Sequence, residues 1–126
     1  MKALDADVLI GFLDPGDAHH PRAVRVIGAA LEQREELIIS ASAYSEVLVH
    51  AGAKGRPEVV DGLIDDAAIK VRPVDRRTAK AAAELRARHR SLRLPDAMAL
   101  ATALRHDAEL VSFDRRLLRI AAAETA

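Results

Sequence analysis

Short apolar segments alternate with longer segments of helical periodicity along the whole chain, and this order constrains the fold more than any other feature. Four segments have the length and aliphatic or β-branched composition of buried strands, namely 2–5, 37–39, 68–74 and 110–113. Strands that are separated by helices require crossover connections and therefore favour a parallel sheet. The sequence predicts an α/β fold of three layers, with a small, mostly parallel sheet flanked by helices.

Apolar spacing and helix-end signals predict the segments between the strands. The expected helices are residues 6–13, a helix from Pro21, one from Ser40 or Ser42 to a stop near Gly52, one from Pro57, 76–90 and one from Pro95. The tail after Asp114 predicts a short helix and an edge strand near Ile120.

Length and composition limit the class of protein. A chain of 126 residues that is half hydrophobic predicts a single domain, 1–126. It has no cysteine, which excludes disulfide scaffolds, thiolate zinc sites and cysteine nucleophiles. No apolar run reaches the ~20 residues of a membrane span, and Asp5 interrupts what would be a signal peptide. We expect a cytoplasmic protein without a membrane partner.

Positive charge is concentrated in the segment 70–93. Nine basic and two acidic residues there give a net charge of +7, in a chain whose total charge is zero. The segment predicts either a solvated helix face or an edge that contacts phosphate. The candidate contacts to the phosphates of a nucleic acid are Arg86, Arg88, Arg90 and Arg93, together with Arg115 and Arg116 near the fourth strand.

Four acids occupy equivalent places in the predicted sheet. Asp5 and Asp114 end the first and fourth strands, whereas Glu46 and Asp96 lie in the first turns of predicted helices. Strand ends and the following helix starts share one edge of a parallel sheet, so these acids can converge there. Each acid alone is also a good helix cap, and capping is the alternative interpretation of any single one.

Clustered carboxylates repel one another unless a cation lies between them. A ligand set of oxygen atoms, without cysteine or a paired histidine motif, favours Mg²⁺, with Mn²⁺ as a second choice, over zinc. Such an ion activates water and neutralises charge on a scissile phosphate. His19 and His20 adjoin Pro21 in a turn, and we interpret them as exposed loop residues.

Four segments resemble, in order and at similar spacing, the motifs of PIN-domain nucleases, and the length is most similar to VapC toxins of bacterial toxin–antitoxin pairs. These segments are Leu4-Asp5-Ala6-Asp7-Val8-Leu9-Ile10, Ser45-Glu46-Val47, Leu94-Pro95-Asp96-Ala97-Met98-Ala99-Leu100-Ala101 and Leu110-Val111-Ser112-Phe113-Asp114. The resemblance implies a metal-dependent endoribonuclease that leaves a 5′-phosphate and a 3′-hydroxyl. Its acidic catalytic and metal-binding residues would be Asp5, Glu46, Asp96 and Asp114.

The resemblance also implies partners. A ribonuclease that harms its own cell requires a VapB-type antitoxin, and members of the family form homodimers. The helices at 24–31 and 59–64 offer candidate dimer faces, with core packing as the alternative.

Two residues depart from the family pattern. Asp7 stands where Asn or Ser is usual, and it either supports the ligands from outside the direct set or caps the first helix. Ser112 stands where Thr is common; it keeps the hydroxyl, which can orient a ligand carboxylate, contact phosphate or bond to the backbone.

Two other functions fit parts of the sequence. The pair Asp5 and Asp7 after a strand also resembles the nucleophile and acid of haloacid dehalogenase-type phosphatases, although Leu9 departs from that pattern. A PIN-like domain that binds a partner without catalysis is the non-enzymatic alternative. Hydrolysis of a small phosphate ester, or failure to bind Mg²⁺ and Mn²⁺, would favour these alternatives.

Overall fold

A four-stranded parallel sheet with strand order β3-β2-β1-β4 runs through the centre of the protein. The computed structural model describes all residues, 1–126. Its elements, in chain order, are β1 (Lys2–Leu4), α1 (Ala6–Leu13), α2 (His20–Glu32), β2 (Leu37–Ser40), α3 (Ala41–Ala53), α4 (Glu58–Asp66), β3 (Lys70–Arg72), α5 (Arg76–Arg88), α6 (Leu94–Arg105), β4 (Glu109–Val111) and α7 (Arg115–Thr125). The predicted α/β class and parallel sheet are confirmed.

Alternating strand residues divide the core into two apolar layers. Leu4 and Ile39 face one side, where they pack with buried residues of α1 to α4. Ala3 and Ile38 face the other side, where they pack with buried residues of α5, α6 and α7. Because successive side chains of a strand point to opposite faces, helices cover both sides of the sheet and produce the three layers.

The strand register aligns the carboxyl ends at one edge of the sheet. Leu4 lies opposite Ile39 on one side and Val111 on the other. The next residues, Asp5 and Ser112, therefore leave the sheet side by side, and the backbone N–H of Asp5 donates to the carbonyl of Val111 at 2.9 Å. This edge is where the sequence predicts the acids to meet.

The predicted bounds of several elements were wrong, and the fourth strand, expected over 110–113, spans Glu109–Val111. The third strand pairs only over Lys70–Arg72, because Ala68 adopts a positive φ of 52° and Pro73 has no N–H to donate. The helix expected to stop at Gly52 continues to Ala53, and the left-handed turn falls on Gly55, at a φ of 73°. The helix expected over 76–90 ends at Arg88.

The predicted edge strand near Ile120 was also wrong. Asp114 caps α7, and Leu117 is buried in the second apolar layer with Ile120 and Ala121 packed beside it. These residues have the i, i+3, i+4 spacing of one helix face. The tail is therefore one helix rather than a helix and a strand.

The two predicted dimer faces differ in exposure. Val60, Leu63 and Ile64 of α4 are buried in the core. Val24 and Leu31 of α2 remain 43% and 45% exposed. Of the two predicted dimer faces, only that of α2 thus keeps a free apolar surface. None of the helices combines the length and the apolar character that crossing a bilayer requires.

Candidate metal centre

The first part of the site joins the ends of β1 and β4. Asp5 is the N-cap of α1, and its Oδ1 accepts the N–H of Ala6 at 2.9 Å. Its Oδ2 accepts the hydroxyl of Ser112 at 2.8 Å. The side chain is only 8% exposed. Burial raises the pKa of Asp5, the two hydrogen bonds lower it, and the charges of Asp96 and Asp114 raise it.

Ser112 connects three residues at this edge. Its hydroxyl has one proton, which lies closer to Asp5 than to Asp7, whose Oδ2 is 3.3 Å away. The same oxygen accepts the backbone N–H of Asp114 at 3.1 Å. Ser112 therefore orients the carboxylate of Asp5 and holds the start of the following turn.

Asp7 lies in the first turn of α1 and faces the turn after β4. Its Oδ2 accepts the backbone N–H of Phe113 at 2.9 Å, whereas its Oδ1 is buried without any hydrogen-bond partner. Burial, followed by the charge of Asp5, raises the pKa of Asp7 to about 7. Asp7 accepts no N–H of α1 and is therefore not the cap of that helix, a role that Asp5 has.

Asp96 and Glu46 come from helices on opposite faces of the sheet. Asp96 lies in the first turn of α6 and is 7% exposed, with Arg93 Nε at 3.4 Å from its Oδ2. Glu46 lies in α3 and is half-buried. Burial raises the pKa of Glu46, Asp5 and Asp96 raise it further, and Arg93 lowers it.

Asp114 is the N-cap of α7. Its Oδ1 accepts the N–H groups of Arg116 and Leu117 at 3.0 and 3.2 Å. The capping interpretation of a single acid is thus correct for Asp114, as it is for Asp5. In both residues the cap occupies one carboxylate oxygen. The charge of Asp114 still contributes to the raised pKa values of Asp5 and Asp7.

We call the five acids together the acidic edge; they are Asp5, Asp7, Glu46, Asp96 and Asp114. Neighbouring acids of this group raise the pKa values of Asp5, Asp7 and Glu46, which is the electrostatic situation that a divalent cation relieves. The Oδ1 of Asp7 is a further buried carboxylate oxygen, and it accepts no hydrogen bond. The donor chemistry fits Mg²⁺ or Mn²⁺. No three acids or histidines form a ready-made cage, so the side chains would have to close around an ion.

An open groove borders Glu46, one member of the acidic edge. Ile10 and His50 line it together with Ser42, Ser45 and Glu46, over a volume of about 740 Å³. Glu46 therefore faces solvent on one side and the other acids on the other.

The predicted RNA contacts occupy different surroundings. Arg93 lies beside Asp96, at the acidic edge. Arg86 donates from Nε to the carbonyl of Leu92, and Arg88 pairs through Nη2 and Nε with Glu124 of α7. Arg90, Arg115 and Arg116 are exposed.

One neighbour of the acids escaped the sequence analysis. His19 is exposed, as expected for a loop residue, whereas His20 is half-buried and begins α2, so that part of the expectation was wrong. The ring of His19 stacks on Phe113, and Arg22 lies over the same ring. The position of Phe113 between Ser112 and Asp114 was the available signal. Its partners come from about 90 residues earlier in the chain, so no local pattern identifies them.

Comparison with known proteins identifies the fold. The family model of the PIN domain matches residues 2–123. A comparison with curated protein sequences found no significant match.

Solved structures of similar architecture cover nearly the whole chain. A toxin–antitoxin complex from Klebsiella pneumoniae aligns with a TM-score of 0.72 and 26% identity, over 90% of this chain and 87% of that chain. VapC20 of Mycobacterium tuberculosis, described as a sarcin-ricin loop cleaving toxin, aligns with a TM-score of 0.78 and 16% identity, over 93% and 92%. FitAcB of Neisseria gonorrhoeae aligns with a TM-score of 0.74 and 18% identity, over 97% and 94%. The last two identities are too low to show more than the fold.

The PIN match spans nearly all of the chain, from β1 through most of α7, and includes every member of the acidic edge. It confirms the resemblance seen in the sequence motifs and favours a nuclease over a phosphatase. The chain belongs to the PIN-domain family.

Proposed function

We propose that this chain is a Mg²⁺-dependent endoribonuclease and the toxin of a type II toxin–antitoxin pair. The observation that carries the proposal is the acidic edge of a PIN-domain fold, in which acids come from four separate segments. The charges of Asp96 and Asp114 raise the pKa of Asp5, and those of Asp5 and Asp96 raise the pKa of Glu46. The toxin assignment is supported by similar structures that are toxin–antitoxin complexes or a toxin that cleaves the sarcin-ricin loop.

Asp5, Asp96 and Asp114 would hold the ion directly or through water, and Glu46 would complete the ligand set. Mn²⁺ is the expected substitute because it accepts the same oxygen ligands. When bound, the ion supplies a Lewis acid that activates water and offsets negative charge on the phosphate. The products expected of a PIN-domain nuclease are a 5′-phosphate and a 3′-hydroxyl.

The remaining residues prepare the site. Ser112 fixes the rotamer of Asp5 through its 2.8 Å hydrogen bond, and Asp7 holds the turn at Phe113. Arg93 is placed to meet a phosphate because it lies beside Asp96 and is mostly exposed, at 69% of its side chain. Arg90, Arg115 and Arg116 would extend that contact along the RNA backbone, so that binding weakens with salt.

Cleavage by matched variants tests the proposal. We expect Asp5→Asn and Asp96→Asn each to reduce Mg²⁺-dependent cleavage of single-stranded RNA by roughly 100-fold or more, the effect of losing an electrostatic stabiliser of the transition state. Asp66→Asn is the control, because Asp66 is an exposed acid of α4 outside the acidic edge. Circular dichroism confirms that each variant folds. Full activity of both site variants would overturn the proposal.

Partners follow from the same assignment. We infer that a VapB-type antitoxin covers the acidic edge, and that two copies of the chain associate through the exposed side of α2. Light scattering of the purified chain, alone and with the antitoxin, measures both assemblies. A toxin of this type acts on cytoplasmic RNA, so we place the protein in the cytoplasm.

A further inference from the structure

The ring of Phe113 lies beside the acidic edge and has two neighbours from α2 and the residue before it. The centroid of the His19 ring is 4.8 Å from that of Phe113, and the two planes are inclined by 29°. The guanidinium carbon of Arg22 is 4.7 Å from the Phe113 centroid. His19 and Arg22 are both exposed. A planar, cationic and aromatic surface is thus open to solvent next to Asp114.

The backbone fixes His19 in this place. Its N–H donates to Asp17 Oδ1 at 2.8 Å. The next residue, His20, donates from Nδ1 to the carbonyl of Gly11 at 2.8 Å, since a carbonyl can only accept. A Cβ on Gly11 would lie 3.2 Å from the Cβ of Ala23, so the glycine permits the close approach of α2, and of the loop before it, to α1. The stack is therefore held in place before any ligand arrives.

The guanidinium of Arg22 has no acidic partner within the protein. None of the ion pairs of the structure includes it. Its one close contact is the face of Phe113, which leaves its N–H groups free to bind an anion. Next to an edge that is rich in carboxylates, a guanidinium without a partner suits a phosphate that approaches the acids.

Stacking surfaces of this kind recognise single-stranded RNA. Unpaired bases stack on aromatic rings, on imidazole and on guanidinium planes, and a neighbouring cation binds the backbone. The chain has only three aromatic residues of the Phe, Tyr and Trp type. One of them, Phe113, directly precedes Asp114 of the acidic edge, and its ring contacts an exposed imidazole and an exposed guanidinium.

We propose that His19, Phe113 and Arg22 form a nucleotide subsite beside the scissile phosphate. The proposal rests on the proposed function, because it takes the substrate to be single-stranded RNA. A base stacks on the exposed surface of His19, Phe113 supports that ring from the protein side, and Arg22 binds the neighbouring phosphate. The stack thereby selects where the RNA is cut.

The test measures binding of a short, fluorescein-labelled, single-stranded RNA of mixed sequence by anisotropy, in EDTA so that it stays intact. A matched series of RNAs lacks one base at a time. We expect His19→Ala to weaken binding roughly tenfold, a typical loss for one stacked base, and His19→Phe to retain it. Removing the base at one position should weaken wild-type binding equally and should have no further effect on His19→Ala.

Arg22 is tested against a neighbour on the same helix. Arg22→Gln should weaken binding and reduce its salt dependence, whereas Arg25→Gln, at an exposed residue without an ion pair, should have a smaller effect. The alternative is that the stack only fastens α2 to the turn after β4. In that case His19→Ala lowers the melting temperature, and it weakens the binding of intact RNA and of RNA that lacks a base by the same factor. That result overturns the subsite.

The subsite and the nuclease assignment fail in different ways. Cleavage by the wild type with Mg²⁺, at positions that His19→Ala does not change, rejects the subsite and leaves the nuclease intact. Binding that depends on one base, without cleavage in Mg²⁺ or Mn²⁺, supports the subsite and rejects the nuclease. RNA that is neither bound nor cut rejects both.

Discussion

Asp7 shows, at the scale of one residue, how the needs of the site oppose stability. Its Oδ1 is buried without a partner, and Asp5 lies close enough to raise its pKa. A buried carboxylate without full hydrogen bonding costs free energy. The sequence predicts a fifth acid here, but it does not predict the bond to Phe113, which lies 106 positions later in the chain.

We expect Asp7→Asn to stabilise the metal-free protein at neutral pH. The amide keeps an oxygen that accepts the N–H of Phe113, and it removes a charge that Asp5 repels. The free energy of unfolding, measured with urea, should rise by about 1–2 kcal/mol. The control is Asp66→Asn, because Asp66 is exposed. Asp17 would be unsuitable, since its side chain accepts the N–H of His19. A loss of stability would show that the charge of Asp7 supports the fold.

Elements were predicted well where the local signal was strong. Ser40 caps α3 through the N–H of Ala43, as the sequence suggested, and the acids at strand ends fell at helix starts. The tail was the main error, since α7 is stabilised by contacts that are distant in sequence. Glu124, near its end, accepts hydrogen bonds from Arg88 and His89 at the end of α5.

The Glu124 contacts predict a pH dependence of stability. The hydrogen bonds from Arg88 and from His89 lower the pKa of Glu124 to about 2. Because this pKa lies below the unfolded value of about 4.3, the stabilisation is present above that value and is lost as the pH falls toward 2. The melting temperature of Glu124→Gln should therefore lie below that of the wild type at neutral pH, and the gap should narrow in acid.

A matched change checks that the effect belongs to these contacts. Glu32→Gln removes an exposed acid of α2 that makes neither a side-chain hydrogen bond nor an ion pair and lies on a different helix from Arg88. It should leave the melting temperature close to that of the wild type across the same pH range. A gap for Glu124→Gln that stays constant down to about pH 2 would contradict the assignment.

On the scale of the molecule, the parallel sheet made the site predictable in outline. Strand ends that share an edge bring Asp5 and Asp114 together whatever the details of packing. The distances were not predictable, because they depend on side-chain rotamers. Nor was the stack of His19 on Phe113, which depends on how α2 packs across α1.

We expect metal ions to stabilise the whole fold through the acidic edge. A ligand present at about ten times its dissociation constant raises the free energy of unfolding by about 1.4 kcal/mol. Mg²⁺ or Mn²⁺ should therefore raise the melting temperature of the wild type and of Asp66→Asn, but not that of Asp5→Asn. Equal shifts in all three proteins would mean that the ions bind elsewhere.

The hydrogen bond between Asp5 and Ser112 joins residues 107 positions apart. During translation, a nascent polypeptide emerges from the ribosome long before residue 112 is available, and β1 then has no β4 to pair with. Asp5 is synthesised early, whereas its partner Ser112 follows only after β4 has been synthesised. A nascent chain that has not yet reached residue 112 therefore lacks the hydroxyl that orients Asp5, and it cannot assemble this part of the site.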